Sequence, residues 1–125
     1  MNFPKELKYT KDHEWVKIID NIATVGVTDF AQSELGEIVY VELELINVSI
    51  EIGDVFGSVE AVKTVSDLYM PISGKIIEIN EKLENDPELV NTDPYGEGWM
   101  IKIEISDEEE LKPLMDVAAY KRLVA

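Results

Sequence analysis

The sequence has no cysteine and a single histidine, His13. The first absence excludes disulfides, Cys-x-x-Cys redox chemistry, thiolate nucleophiles and cysteine-ligated zinc. It fits a reducing compartment. The second leaves a Ser-His-Asp set with one possible base. Ser33, Ser58, Ser66 or Ser73 would have to meet His13, and nothing in their spacing supports that. His13 lies two residues from Trp15 and reads as a structural or surface group. A metal site would have to be built from carboxylates alone, and the obvious run, Asp107 to Glu110, opens a helix, where acids complement the dipole; no metal ligand is assigned. Basic residues are scarce, 11 Lys and Arg against 26 Asp and Glu, for a net charge of −15. Binding to phosphate needs Lys and Arg to release counterions, so nucleic acid is excluded and anionic lipid disfavoured. The acid excess reads as solubility and a monomeric state. No apolar run approaches a membrane span. Met1-Asn-Phe-Pro-Lys5 has neither the regions of a signal peptide nor the helix of a transit peptide, so the expected location is the cytoplasm. There is no P-loop, and Gly96-Glu-Gly98 is not a dinucleotide fingerprint.

What is present reads as one folded domain over residues 1–125, with 46% apolar and 30% charged residues. Period-two alternation dominates. Lys8 to Val27 reads as a strand pair turned at Asp20-Asn21. Thr28 to Gly36 reads as a short helix, with Asp29 as its cap and Gly36 just past its end. From Glu37 to Leu45, Val39, Val41, Leu43 and Leu45 share one apolar face, expected to meet the core. Lys75 to Asn80 and Trp99 to Ile105 are further strands. Asp86 and Pro87 open one helical turn, Ser106 to Glu109 is a capping box, and Asp116 to Val124 is a C-terminal helix packing through Val117, Tyr120 and Val124.

The centre of the chain is Val55 to Gly74, two alternating runs facing each other across Lys63. Val55, Gly57, Val59 and Ala61 alternate with Phe56, Ser58, Glu60 and Val62; on the second run Leu68, Met70 and Ile72 alternate with Asp67, Tyr69, Pro71 and Ser73. The tip Val62-Lys63-Thr64-Val65 has no Gly, Pro or Asn, so a tight turn other than type I′ is expected. Lys63 is mounted on two strands between apolar neighbours, a rigid presentation unlike that of a solvated loop lysine. Exposed lysines are mostly protonated near neutrality and are poor unassisted nucleophiles, so this one suits the role of substrate for an enzyme that activates its own acyl donor. An internal echo links Gly36-Glu-Ile-Val-Tyr-Val with Gly74-Lys-Ile-Ile-Glu-Ile, 38 residues later. Two similar halves imply a two-sheet sandwich with quasi-twofold symmetry, neither half able to bury its apolar face alone.

Taken in order, a set of segments resembles the H proteins of the glycine cleavage system nearly end to end. They are Tyr9-Thr-Lys-Asp-His-Glu-Trp15, Ala23-Thr-Val-Gly-Val-Thr-Asp-Phe-Ala31, Leu35-Gly-Glu-Ile-Val-Tyr-Val-Glu42, Phe56-Gly-Ser-Val-Glu60, Val62-Lys63, Ser66-Asp67, Pro71-Ile-Ser-Gly74, Pro87-Glu-Leu-Val-Asn91 and Tyr95-Gly-Glu-Gly-Trp99. Other lipoyl domains carry an acidic residue before their lysine and biotinyl domains flank theirs with methionines; Val62-Lys63-Thr64 fits neither. The resemblance implies a mainly β, lipoyl/biotinyl-type barrel-sandwich hybrid with a short helix after the N-terminal strands and a C-terminal helix. It implies a carrier, not an enzyme, with lipoate amide-linked to Lys63. The arm would take an aminomethyl group from a pyridoxal-phosphate-dependent glycine decarboxylase to a tetrahydrofolate-dependent aminomethyltransferase, and a flavin-containing dihydrolipoamide dehydrogenase would reoxidise it. The lack of cysteine suits this, since no protein thiol could exchange with the arm.

By the same resemblance, Glu14 and Asp67 occupy positions in a cleft that shelters the loaded arm, where carboxylates can hold a cationic amine. Asp12 stands where some members have a small hydroxyl residue, and adds a negative charge. Glu60, Ala61, Val62 and Thr64 flank the lysine where lipoylating enzymes would read it. Ala61 replaces a usual serine and Thr64 a usual alanine. Leu43-Glu-Leu-Ile-Asn-Val-Ser49 lacks the family's usual Pro and Gly. Two alternatives stand beside glycine cleavage: an H-like relay that donates lipoate to other complexes, and an unmodified binding module of the same fold.

Overall fold

The computed structural model describes residues 1–43 and 46–125. Two antiparallel sheets form a sandwich. The larger has the order β1 (Lys8–Tyr9), β2 (Glu14–Ile19), β3 (Ile22–Val27), β9 (Ile101–Ile105), β8 (Gly74–Ile79), β5 (Ser49–Ile50). The smaller has the order β4 (Ile38–Leu43), β6 (Val55–Ala61), β7 (Val65–Tyr69). Rows of side chains in register, Ala23–Ile103–Ile76 and Val25–Ile101–Ile79, cross the inner face of the large sheet. They pack in one apolar cluster with Val41, Val59 and Leu68 of the small sheet. Asp20 turns the β2–β3 hairpin at φ 56°, a left-handed conformation that Asp tolerates.

The echo between the halves holds in three dimensions. β4 pairs with β6 in one sheet and β8 with β9 in the other. Each pair carries a register shift, at Ile38/Tyr40 and at Ile76/Glu78, and both residues of the second shift lie 38 positions after their counterparts. The shifts explain where simple alternation failed. Val39 is pushed outward and Ile38 inward, against the expected apolar face of Val39, Val41 and Leu43. A shift between Val55 and Gly57 likewise buries Phe56 and exposes Val55. The same expectation for Leu45 falls outside the described residues. From Leu68 near the end of β7 through Met70 and Ile72, alternate residues are all buried as the chain crosses between the sheets.

Helices close the edges of the sandwich. α1 (Asp29–Leu35) is capped by Thr28, not Asp29: the Thr28 hydroxyl accepts from the Ala31 N–H at 3.1 Å. Asp29 is the first helical residue and accepts from Gln32 Nε2 at 2.7 Å. Gly36 ends the helix at φ 81°, where a side chain would be strained. The helical turn placed at Asp86 splits into α2 (Lys82–Asn85) and α3 (Leu89–Thr92), and Asp86 follows the end of α2 without capping α3 by its side chain. Asp107, rather than Ser106, caps the 3₁₀ turn Glu108–Leu111; Ser106 Oγ donates to the Ser73 carbonyl instead. α4 (Val117–Val124), capped by Asp116, seals a second apolar cluster of Leu7, Tyr9, Trp15 and Tyr120. There Tyr120 stacks on Tyr9 with ring centroids 4.7 Å apart, and the Trp15 indole donates to the Pro94 carbonyl at 2.9 Å. A Cβ on Gly26 would lie 2.7 Å from the Trp15 indole nitrogen, so only glycine fits beneath that ring.

Candidate functional site

Lys63 stands at the tip of the β6–β7 hairpin, exposed, in a three-residue connection with no residue of positive φ. That agrees with the composition of the tip. The connection is closed by the Ala61 N–H donating to the Thr64 carbonyl at 2.7 Å. Val62 and Val65 are 70% and 63% exposed, so the apolar character around the lysine is presented to solvent and not spent in the core. Glu60 and Thr64 are exposed beside them, whereas Ala61 is turned into the interior opposite Ile38. A partner meeting the tip would touch Glu60, Val62 and Thr64 directly, and would sense Ala61 only through packing.

The stem of Lys63 lies against the end of α1: a Cβ on Gly36 would be 3.9 Å from Lys63 Cε. From there a hollow of about 240 Å³ runs between α1, the β1–β2 turn and the strand β7. Ala31, Leu35, Phe30, Val27 and Leu68 give it an apolar lining. Asp12, His13, Glu14, Glu34, Ser66 and Asp67 are its polar residues. The structure therefore brings Asp12, Glu14 and Asp67 to one cleft, with Lys63 beside the helix that walls it. Asp67 stands at the rim: it pairs with Ser58 on the outward face of the small sheet, while Ser66, opposite Val59, takes the inward face.

Glu14 is the buried carboxyl of this site, 2% exposed. Its Oε2 accepts from the Tyr69 N–H on β7 at 2.9 Å, and its Oε1 faces the Thr10 hydroxyl at 3.4 Å. Burial pushes its carboxyl up to about 8, reinforced by the charge of Asp12 and opposed by the two hydrogen bonds. An apolar cleft with one buried carboxyl has a definite chemistry. Such a cleft can take an apolar chain along its length and a cationic amine at its acidic end, where a cation would draw off the Glu14 proton.

His13, expected as a structural or surface group, has a structural role at the edge of this cleft. It adopts φ 65°, fixed by its N–H to the Thr10 carbonyl at 3.1 Å and by its own carbonyl accepting from Thr28 N at 3.0 Å. Its Nδ1 lies 2.9 Å from the Tyr120 hydroxyl, which also lies 2.8 Å from Thr28 Oγ1. Burial lowers its pKa, with Asp12 and Glu34 pulling the other way. The C-terminal helix thus fastens two walls of the cleft through one phenol. His13, Phe30, Glu34 and Ser66 were not legible as cleft residues, because their strands, turn and helix are brought together only by tertiary structure. Among the described residues no group of three or more His, Asp or Glu is arranged to hold a metal ion, and no helix is long and apolar enough to cross a membrane.

The family described as "Glycine cleavage H-protein" matches residues 7–125. Curated relatives from two strains of Staphylococcus epidermidis, each named "Glycine cleavage system H protein", are 56% identical over 124 residues, covering 99% of this chain and 98% of theirs. Among solved structures, the crystal structure of a glycine cleavage system H protein from Mycobacterium marinum superposes with a TM-score of 0.86 at 35% identity, covering 96% of this chain and 97% of that one.

Proposed function

This chain belongs to the glycine cleavage H-protein family, a family of lipoyl carriers rather than catalysts, and from that premise we propose that Lys63 is its lipoylated residue. The single observation that carries the assignment is the mount: one exposed lysine on a hairpin tip, its stem beside the helix that walls an apolar cleft. The residues suit the group. The lysine amine can take the acyl chain in amide linkage, and Leu35, Ala31, Phe30 and Val27 offer that chain an apolar path towards Glu14. Held on Lys63, lipoate would supply a dithiolane as the carrier group for aminomethyl transfer from a glycine decarboxylase to an aminomethyltransferase, with dihydrolipoamide dehydrogenase as the enzyme that would reoxidise it.

The protein's own residues contribute shelter and charge. Phe30 and Leu68 exclude water from the cleft, and Glu14, with Asp12 and Asp67 nearby, holds an amine that enters it. Glu60, Val62 and Thr64 form the surface that a lipoylating enzyme reads, and Ala61 supports it from below. In this reading residues 1–125 act as one monomeric, cytoplasmic carrier domain, kept soluble by its acidic surface.

Intact mass with peptide mapping, on protein expressed in cells that have lipoylation machinery, tests the assignment. A lipoyl increment on Lys63 is expected. An unmodified lysine beside a lipoylated control carrier would overturn it, unless the double substitution Ala61→Ser with Thr64→Ala restores the modification, which would trace the failure to the flanks.

A further inference from the structure

The tip that bears Lys63 is docked on the turn between α1 and β4. The Val62 N–H donates to the Glu37 carbonyl at 3.1 Å, and the Lys63 stem lies beside Gly36. Beside the seat, Ile38 and Ala61 pair and are buried, but α1 has no fully buried residue and Glu37 itself is exposed. One side chain from far along the sequence ties the turn from the other side. Asn91, on α3, donates through Nδ2 to the Gly36 carbonyl at 2.8 Å and to Gln32 Oε1 at 3.0 Å, and accepts through Oδ1 from the Ile38 N–H at 2.9 Å. These bonds bracket Glu37, the residue that receives Val62. α3 itself is anchored by Val90, fully buried in the core cluster.

We infer that Asn91 is a positioning residue for Lys63: its amide holds the Gly36–Ile38 turn, and through Glu37 it sets how the lysine is presented for acylation. The inference rests on Lys63 being the acylated residue. The amide is the chemistry the turn requires, because the turn offers a carbonyl and an N–H two residues apart and one carboxamide satisfies both. Aspartate keeps the acceptor for Ile38 but turns a second oxygen towards the Gly36 carbonyl. Alanine leaves all three partners without Asn91.

The test compares Asn91→Asp and Asn91→Ala with Asn80→Ala. Asn80 is a buried amide that ties the Glu97 and Trp99 carbonyls, away from the hairpin, and serves as a control for lost stability. Two quantities are read. The first is amide hydrogen exchange of Val62 in the unmodified protein. The second is kcat and KM for modification by a lipoate ligase with lipoate and ATP, in which deprotonated Lys63 Nζ forms the amide bond and AMP leaves the lipoyl adenylate. Both Asn91 variants should speed Val62 exchange about fivefold to tenfold and lower kcat/KM by a similar factor. Asn80→Ala should leave both within about twofold, even where its melting temperature falls as far. Asn91 variants that lose melting temperature alone, with exchange and kcat/KM matching Asn80→Ala, would overturn the inference. If the parent protein takes no lipoate, the carrier reading fails, and Val62 exchange by itself still decides whether Asn91 holds the seat.

Discussion

Replacing Glu14 with glutamine should stabilise the unmodified protein, and increasingly so as pH rises. Burial pushes its carboxyl up to about 8 from the ordinary 4.5, so between those values the folded chain holds a proton that the unfolded chain has lost. Stability from this group is therefore fully present below about pH 4.5 and is lost as pH climbs through about 8. The slope is about 1.4 kcal/mol per pH unit, so the loss is about 3 kcal/mol at neutrality and reaches a ceiling of about 4 to 5 kcal/mol. That is a large share of the roughly 5–15 kcal/mol that holds a domain folded. Glutamine mimics the protonated acid: its oxygen can accept from Tyr69 N–H, and its amide can donate to the Thr10 hydroxyl. Urea denaturation of both proteins at about pH 5, 6, 7, 8 and 9 measures the difference while cancelling the pH dependence of all other groups. The glutamine protein should gain about 1.4 kcal/mol per unit up to about pH 8 and then level off. A difference that stays flat, or falls with pH, would mean that the two hydrogen bonds outweigh burial and keep Glu14 ionised, and the electrostatic account of the cleft would be wrong.

Three further outcomes are expected. Lys63→Arg, at an exposed hairpin tip and with a stem of similar length, should leave the melting temperature within about 1 °C while abolishing any lipoyl mass increment. Tyr120→Phe should cost about 1–3 kcal/mol in a denaturation experiment, because His13 and Thr28 lose their shared partner. Gly26→Ala should cost about 1–3 kcal/mol and alter the near-ultraviolet circular dichroism, as the new methyl displaces the Trp15 ring.

The alternation of Ile101, Ile103 and Ile105, the Asp20-Asn21 turn and the helix through Tyr120 were legible because each is set by local rules of period and turn chemistry. The hairpin tip at Lys63 was legible for the same reason. The bulges were not. Nothing in Ile38-Val-Tyr40 or Val55-Phe-Gly57 announces that one residue will be skipped, since a register shift is settled between strands rather than within one. Thr28 displaced Asp29 as the cap by a single position, a choice that the tertiary contact with Tyr120 favours. For the cleft, resemblance pointed to Glu14, Asp67 and Asp12, and the structure places all three along it. The bond between His13 and Tyr120 escaped because it joins residues 107 positions apart.

The two sheets also differ in how far the chain must travel to close them. β4, β6 and β7 all lie between Ile38 and Tyr69, with only the two residues of β5 given to the other sheet on the way. The large sheet closes only when Val25 meets Ile101, far downstream. Loop closure makes such distant pairings the slow ones. The lysine hairpin therefore belongs to the part of the protein that should assemble early, and the β3–β9 seam to the part that should assemble last. On a ribosome, the hairpin would be made, and able to pair with β4, before β9 had been synthesised.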